Sequence, residues 1–229
     1  MKTDFSPSAL RSFLVINPWF ASLPEALQTA LVEAGRTVSL AEGQWLFGEG
    51  DPLGGLWIVL SGTLRVFLSV GPERDVLFEI VEPGAVLAHP LGFEGRARMA
   101  TVRASAEAVV LAVPNVQVQA ISQAHPALAN ALAELYHAHV SHLMLVAAGA
   151  LCLTPRGKVA GRLALITDNN LRDHQVAHVT QSDLAEMTGL SRKSVQGHLS
   201  ALARMGIVEV VYGGVRILDP ARLRAAATA

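Results

Sequence analysis

Cysteine is almost missing from this sequence: Cys152 is the one thiol in 229 residues. A single cysteine closes no internal disulfide and cannot supply the thiolates of a zinc ribbon or an iron–sulfur cluster, so both are excluded. Charge is sparse at 16% and aromatics sparser at 5%, while 51% of the chain is hydrophobic. That balance is too apolar for a disordered chain and suffices for a buried core of one large or two small domains. Long apolar runs are missing as well. Val109 to Val113 is typical, far short of the ~18–20 residues needed to cross a bilayer. The opening MKTDFSPSALRSF has no secretory apolar segment, so a soluble, cytoplasmic protein with no membrane partner is expected. No grouping of nucleophile, base and orienting residue stands out and no phosphate-binding glycine loop is present, so no enzyme is expected. No repeat or low-complexity tract appears.

The net charge of −1 conceals an asymmetry. Residues 1–151 carry 8 Lys and Arg against 13 Asp and Glu, net −5; residues 152–229 carry 10 against 6, net +4. An acidic body with a basic end is expected where only the end meets a polyanion such as DNA.

From Arg36 to about Pro114 the chain reads as short strands. The apolar segments are Val38 and Leu40, Trp45 to Phe47, Leu56 to Leu60, Leu64 to Leu68, Val76 to Ile80 and Val109 to Val113. Glu42-Gly43, Gly48 to Pro52, Ser61-Gly62, Gly71-Pro72 and Pro83-Gly84 punctuate them with residues that supply positive φ or fix φ in turns. Such spacing predicts a small β-barrel or jelly roll. After His125-Pro126 the composition changes to helix formers, and one helix of about 25 residues is expected to about Leu151. It carries two stripes: Leu128, Leu132, Leu135, His139, His142, Val146, and Ala129, Ala133, Tyr136, Val140, Leu143, Ala147, Ala150. A helix so apolar must be covered on two sides. Either one monomer buries it whole, or it lies on the barrel with one face and on a second copy of the chain with the other. The second arrangement is expected. Thr154-Pro155 then opens a further unit, with a helix over Gly157 to Ile166 and a loop over Thr167 to His178.

Thr180 followed three residues later by Asp183 has the form of a capping box and starts a helix carrying Leu184, Ala185 and Met187. Gly189 supplies a turn, Ser191 caps the next helix, and Val195, Leu199 and Leu202 form its inward stripe. This is the grammar of a helix-turn-helix. Arg192, Lys193 and Gln196 fall on the opposite face near the second helix's N-terminus, where such a motif meets base edges. Ile207 to Val211 and Val215 to Leu218, joined at Tyr212-Gly213-Gly214, read as a two-stranded wing.

These segments resemble the Crp/Fnr transcription regulators over about residues 15 to 225. The resemblance rests on Glu42 to Pro52, Leu56 to Val66, Pro83-Gly84 and Arg98 to Ala104 in the barrel. In the tail it rests on Thr180 to Ala185, Gly189 to Arg192 and Gly206-Ile207. It implies an α+β protein: an N-terminal β-barrel or jelly-roll sensor domain of the cyclic-nucleotide-binding kind (15–125), a long dimerisation helix with hinge (126–153), and a C-terminal winged helix-turn-helix DNA-binding domain (154–229). It implies a homodimer on a palindromic duplex operator, with RNA polymerase as a further candidate partner. Base readout goes to Arg192, Lys193 and Gln196, and phosphate contacts to Thr180, Ser182, Ser191, Ser194 and His198.

Two departures from the family pattern stand out. Members that bind cyclic AMP carry a Gly-Glu pair for the ribose and an Arg-Ser pair for the cyclic phosphate. Here those positions hold Leu87-Ala88 and Arg98-Met99. A ribose hydroxyl facing an apolar wall forgoes about 1–3 kcal/mol, so weak or no cyclic AMP binding is expected. The same alignment puts Leu143 and Met144 where a base would meet polar side chains. The expected effector pocket is therefore Leu87, Ala88, Arg98, Met99, Leu143 and Met144, for an unidentified small molecule, or filled by its own side chains. Arg98, flanked by Arg96 and Arg103, binds an anion or else pairs with Glu94 or Glu79. In the reading helix, family members usually carry an Arg where this chain has Gly197, so the operator should differ from the usual half-site. The expected switch is a population shift: effector binding repacks the helix seam and the linker near Gly149 to Gly157 reorients the reading helices.

No metal or cofactor is expected, with haem or a metal through His89, His139 or His142 as the minor alternative. The competing functional reading is a ligand-binding or scaffolding protein whose helix-turn-helix makes protein contacts only.

Overall fold

A computed structural model describes residues 6–71, 74–93, 95–152, 154–169 and 175–228. They form two compact units, Met1–Leu68 with Val81–Val140, and Ser69–Ile80 with Ser141–Ala229.

The first unit opens with helices α1 (Pro7–Leu14), α2 (Pro18–Ser22) and α3 (Glu25–Ala34). Strands β1 (Arg36–Leu40), β2 (Trp45–Phe47), β3 (Leu56–Ser61), β4 (Leu64–Ser69), β5 (Asp75–Val81), β6 (Val86–Leu87), β7 (Thr101–Ala104) and β8 (Ala108–Val113) follow in chain order, β5 falling as far as Ile80 in the second unit. The strands of the first unit assemble as two sheets, one ordered β1-β8-β3-β6 and one in which β2, β7 and β4 are neighbours in that order. Alternation of side chains along a strand assigns each residue to a layer. On β3, Leu56, Ile58 and Leu60 point to a helical layer, while Trp57 and Val59 point into the sandwich. On β8, antiparallel to it, Leu111 and Val113 take the helical side, and Ala108 and Val110 the sandwich side.

The helical layer comprises α1, α2, α3, α4 (Asn115–Ala124) and the start of α5 (Ala127–Cys152), which bury Leu14, Phe20, Leu27, Leu31, Val118, Leu128 and Leu132 against that face. Each of the first two helices starts at a side-chain cap followed by proline at the first position. Ser6 Oγ accepts from Ala9 N, and Asn17 Oδ1 accepts from Phe20 N. Such a start satisfies an orphan amide and presets φ. Asn17 Nδ2 also donates to Gly84 O (2.9 Å), fastening α2 to the turn before β6, and Trp19 Nε1 donates to Ala131 O (2.7 Å), fastening α2 to α5.

The second unit contains α6 (Pro155–Asn169), β9 (Val176–Ala177), α7 (Gln181–Thr188), α8 (Arg192–Arg204), β10 (Val208–Val211), β11 (Gly214–Ile217) and α9 (Pro220–Thr228). Its core holds Val159, Leu163, Ile166, Leu184, Val195, Leu199, Leu202, Ile207, Val215, Ile217 and Leu223.

Several sequence expectations are refined. The first unit is a sandwich of two sheets, not a closed barrel. Helix α6 starts two residues before and ends three after the expected Gly157 to Ile166, so Thr167 to Asn169 are helical rather than loop. Thr167 Oγ1 donates back to Leu163 O (3.0 Å), which lets this polar residue stay buried inside the helix. Residues 170–174 of the expected loop lie outside the described residues. The wing has three strands, ordered β10-β11-β9, because Val215 pairs with Ala177 and Arg216 with Val176. Among the described residues no helix is long and apolar enough to cross a membrane.

Gly62 turns β3 into β4 with φ +74°, and a Cβ there would lie 2.4 Å from Glu107 O and 2.6 Å from Ala108 Cα. Both the backbone conformation and the space exclude a side chain. Gly62→Ala should lower unfolding stability by about 2–4 kcal/mol, measured by urea denaturation; a loss under about 0.5 kcal/mol, the range of an ordinary surface change, would contradict this reading of the turn.

Candidate nucleic-acid interface

The two helices of the motif are started by the side chains that the spacing singled out. Thr180 Oγ1 accepts from Asp183 N (3.1 Å) and Asp183 Oδ2 accepts from Thr180 N (3.0 Å), a reciprocal capping box. Gly189 ends α7 in the left-handed region at φ +67°, and its amide donates to Ala185 and Glu186 carbonyls. Ser191 Oγ then accepts from Ser194 N (3.1 Å) and starts α8. Val195, Leu199 and Leu202 are buried at 0–1% exposure, which fixes the rotation of α8 about its axis. Arg192, Lys193, Gln196, Gly197, Ser200 and Arg204 are consequently exposed, while Ser194 and His198 are half-buried at the flanks. Among the described residues Arg192 and Lys193 make no ion pair. Two unneutralised cations at the positive end of a helix form an anion-seeking tip. Thr180 and Ser191 each use one of two acceptor lone pairs in capping, leaving the hydroxyl proton free to donate; Ser182 is exposed.

The residues expected around an effector divide between the units: Leu87, Ala88, Arg98 and Met99 in the first, Leu143 and Met144 in the second. In the first, Arg98 is 9% exposed and held by its own chain. Its Nη2 donates to Gly54 O (2.8 Å), and its Cζ lies 3.9 Å from the Phe47 ring centroid and 4.6 Å from that of Trp57. Burial pulls its pKa below the ordinary arginine value, and the charge of Asp51 pushes it back up. Glu79, one expected counter-ion, is engaged elsewhere; Glu94, the other, lies outside the described residues. Leu87 pairs across the sheet with Trp57 and packs into the sandwich core, Ala88 packs on the helical core, and Met99 is 80% exposed. Arg98, Trp57 and Leu87 are thus brought together, and Met99 is not buried with them. Arg103 lies over Phe67 (3.8 Å) and Arg96 over Phe93 (5.3 Å). Leu143 and Met144 are exposed on α5.

Sequence reasoning missed a charged cluster in the second unit. Glu79 Oε2 lies 2.5 Å from His142 Nε2 and 3.6 Å from Arg162 Nη2, while Leu77 N donates to Glu186 Oε1 on α7 (2.6 Å). Arg162 is 5% exposed, and its three guanidinium nitrogens have no hydrogen-bond acceptor among the described residues. Burial lowers its pKa against the opposing pull of Glu79. An Arg in the α6 pattern carries no sign of burial in sequence; only the fold reveals it. His142, a residue of the minor metal alternative, therefore meets a carboxylate, and no group of three His, Cys, Asp or Glu suited to a metal occurs among the described residues.

In chain order these features are a β-sandwich, a long helix and a winged helix-turn-helix with an unneutralised basic tip, the build of a regulator that reads duplex DNA. Comparison with known proteins agrees. The cyclic nucleotide-binding domain family matches residues 37–125 and the Crp-like helix-turn-helix domain family matches residues 157–226. The nitrogen fixation regulation protein FixK of Bradyrhizobium diazoefficiens is 24% identical over 214 residues, covering 91% of this chain and 89% of the relative. The structure of FixK2 from Bradyrhizobium japonicum superposes with a TM-score of 0.75 at 18% identity, over 85% of this chain and 98% of that one. A CRP-family transcriptional regulator from Thermus thermophilus gives 0.63 at 25% identity, over 84% and 97%. The chain belongs to the Crp/Fnr family of DNA-binding transcription regulators.

Removing Glu79 leaves the buried Arg162 without a counter-charge, whereas removing Arg162 leaves Glu79 its contact with His142. Glu79→Gln should therefore destabilise the protein by about 3 kcal/mol and Arg162→Met by clearly less. Thermal and urea unfolding of the two variants decide it; equal losses would mean that the Glu79 charge does not compensate Arg162.

Proposed function

We propose that the protein is a homodimeric, sequence-specific regulator in which Arg192, Lys193 and Gln196 read base edges in the major groove. Thr180, Ser182, Ser191, Ser194 and His198 hold phosphates and set the register. The observation that carries this reading is the unpaired Arg192-Lys193 tip on a helix whose opposite face is locked by Val195, Leu199 and Leu202. Residues 154–229 serve as the reading head, 126–153 as dimerisation helix and hinge, and 15–125 as the sensor. The dimer is supported by α5 itself. Its stripe Leu128, Leu132, Leu135 is buried, while Ala129, Ala133, Tyr136, Leu143, Ala147 and Ala150 stay exposed. A second copy laid along that stripe forms a coiled-coil seam and presents two heads, which must stand about 34 Å apart to enter successive major grooves.

The engagement of Arg98 by Gly54 O, Phe47 and Trp57, with Leu87 and Ala88 in place of an acid, supports a sensor that responds to something other than cyclic AMP or to no ligand.

Duplexes selected from a randomised library should shift on gels with an affinity that falls steeply with salt. Arg192→Ala should lose sequence discrimination by roughly 5- to 150-fold at one position, and cyclic AMP should leave wild-type binding unchanged. Salt-independent retention, or an unaltered preference in the variant, would favour a helix-turn-helix that contacts protein only. Sedimentation should show a dimer for the wild type and a folded monomer for Leu143→Asp; a wild type that stays monomeric at every concentration sinks the dimer.

A further inference from the structure

We infer that Gly197 is a specificity-determining residue, its bare Cα letting the backbone of α8 touch the 5-methyl group of a thymine beside the adenine read by Gln196. This rests on the DNA-reading assignment above. Gly197 lies in the middle of α8 and is not among the glycines with positive φ. A Cβ built on it would meet nothing within 4 Å. Neither turn geometry nor packing in the chain therefore requires glycine there. The contrast with two other positions is direct: a Cβ on Gly35 would lie 2.6 Å from Leu111 Cδ1, and one on Gly62 would lie 2.4 Å from Glu107 O.

Glycine in a helix interior is disfavoured relative to alanine because it gives up more backbone freedom on folding. A destabilising residue with open space around it keeps that space for something outside the chain. Position 197 is exposed, follows Gln196, and shares the outward face with Arg192, Lys193 and Ser200. A glutamine amide matches the N7 and N6 pattern of adenine, and thymine methyls project from the same groove wall. An apolar Cα without a side chain accepts such a methyl in van der Waals contact; a Cβ would occupy its place.

The test uses the full-length dimer and duplexes selected from a library randomised over both half-sites. Gly197→Ala should raise the melting temperature by about 2–4 °C yet weaken binding to the wild-type duplex roughly tenfold, the scale of one misfitted group at a base edge. Replacing the contacted thymine by uracil, which lacks only the methyl, should restore most of the variant's affinity. Binding within about twofold of wild type, a span small against the discrimination of one base contact, would overturn the inference. So would a lowered melting temperature, or a loss that uracil does not relieve at any half-site position. A wild type that enriches no sequence overturns the DNA-reading assignment itself, and is distinguished from those outcomes because it precedes any comparison with the variant.

Discussion

What α8 buries decides what it offers. Val195, Leu199 and Leu202 recur at spacings of four and three, so they fall on one helical face, and all are within 1% of complete burial. Each contributes about 1.5–3 kcal/mol by leaving water. Rotating the helix to hide Arg192 or Lys193 instead would both expose these side chains and desolvate a cation. The outward set is therefore fixed by the inward one. Its position along the axis is fixed by the Ser191 cap, and the caps and the left-handed Gly189 fix where α8 begins relative to α7. Which side chains α8 turns outward is thus set by what it buries and by how it is capped.

The first unit separates fold from side-chain chemistry in the same way. It matches the cyclic nucleotide-binding domain family over residues 37–125, and its shape rests on strand alternation and on turns such as Gly62. Ligand recognition in a domain depends on a few side chains that the fold does not dictate. Arg98, which the family resemblance implies as a phosphate ligand, is stacked over Phe47 and Trp57 and bonded to a carbonyl. A guanidinium over an aromatic face gains about 2 kcal/mol when desolvated, which offsets part of the burial that lowers its pKa. A side chain able to bind an anion thus serves the packing here, and Leu87-Ala88 carries no acid.

Legibility followed the physics. The helix-turn-helix was readable almost residue by residue because caps, a turn glycine and an apolar stripe are local signals with fixed offsets. Strands longer than four residues were readable from apolar runs; β6 and β9, two residues each, carry too little pattern. Helices α1 and α2 went unread although Ser6-Pro7 and Asn17-Pro18 place a capping side chain before a proline, the signal that would have found them. Asp219-Pro220 before α9 repeats it, with Asp219 Oδ1 accepting from Arg222 N. Arg98 on its aromatic pair and the contacts of Glu79 with His142 and Arg162 were not legible, because they join residues 41 to 83 positions apart across the sequence, and no local spacing encodes such contacts.

The two faces of α5 explain why apolar composition and a reading head belong in one chain. Its buried leucines hold it to the first unit's core, and its exposed stripe is built of alanines at 129, 133, 147 and 150 around Tyr136 and Leu143. Small residues let a second helix approach closely, and the larger ones supply knobs for its holes. In the proposed dimer, then, self-association draws on apolar burial, which salt does not screen, whereas the Arg192-Lys193 tip draws on phosphate charge, which salt does. Assembly and reading are separable because different forces drive them. A change of ionic strength acts on the second while leaving the first in place, so the head can let go of one duplex and engage another without the pair coming apart.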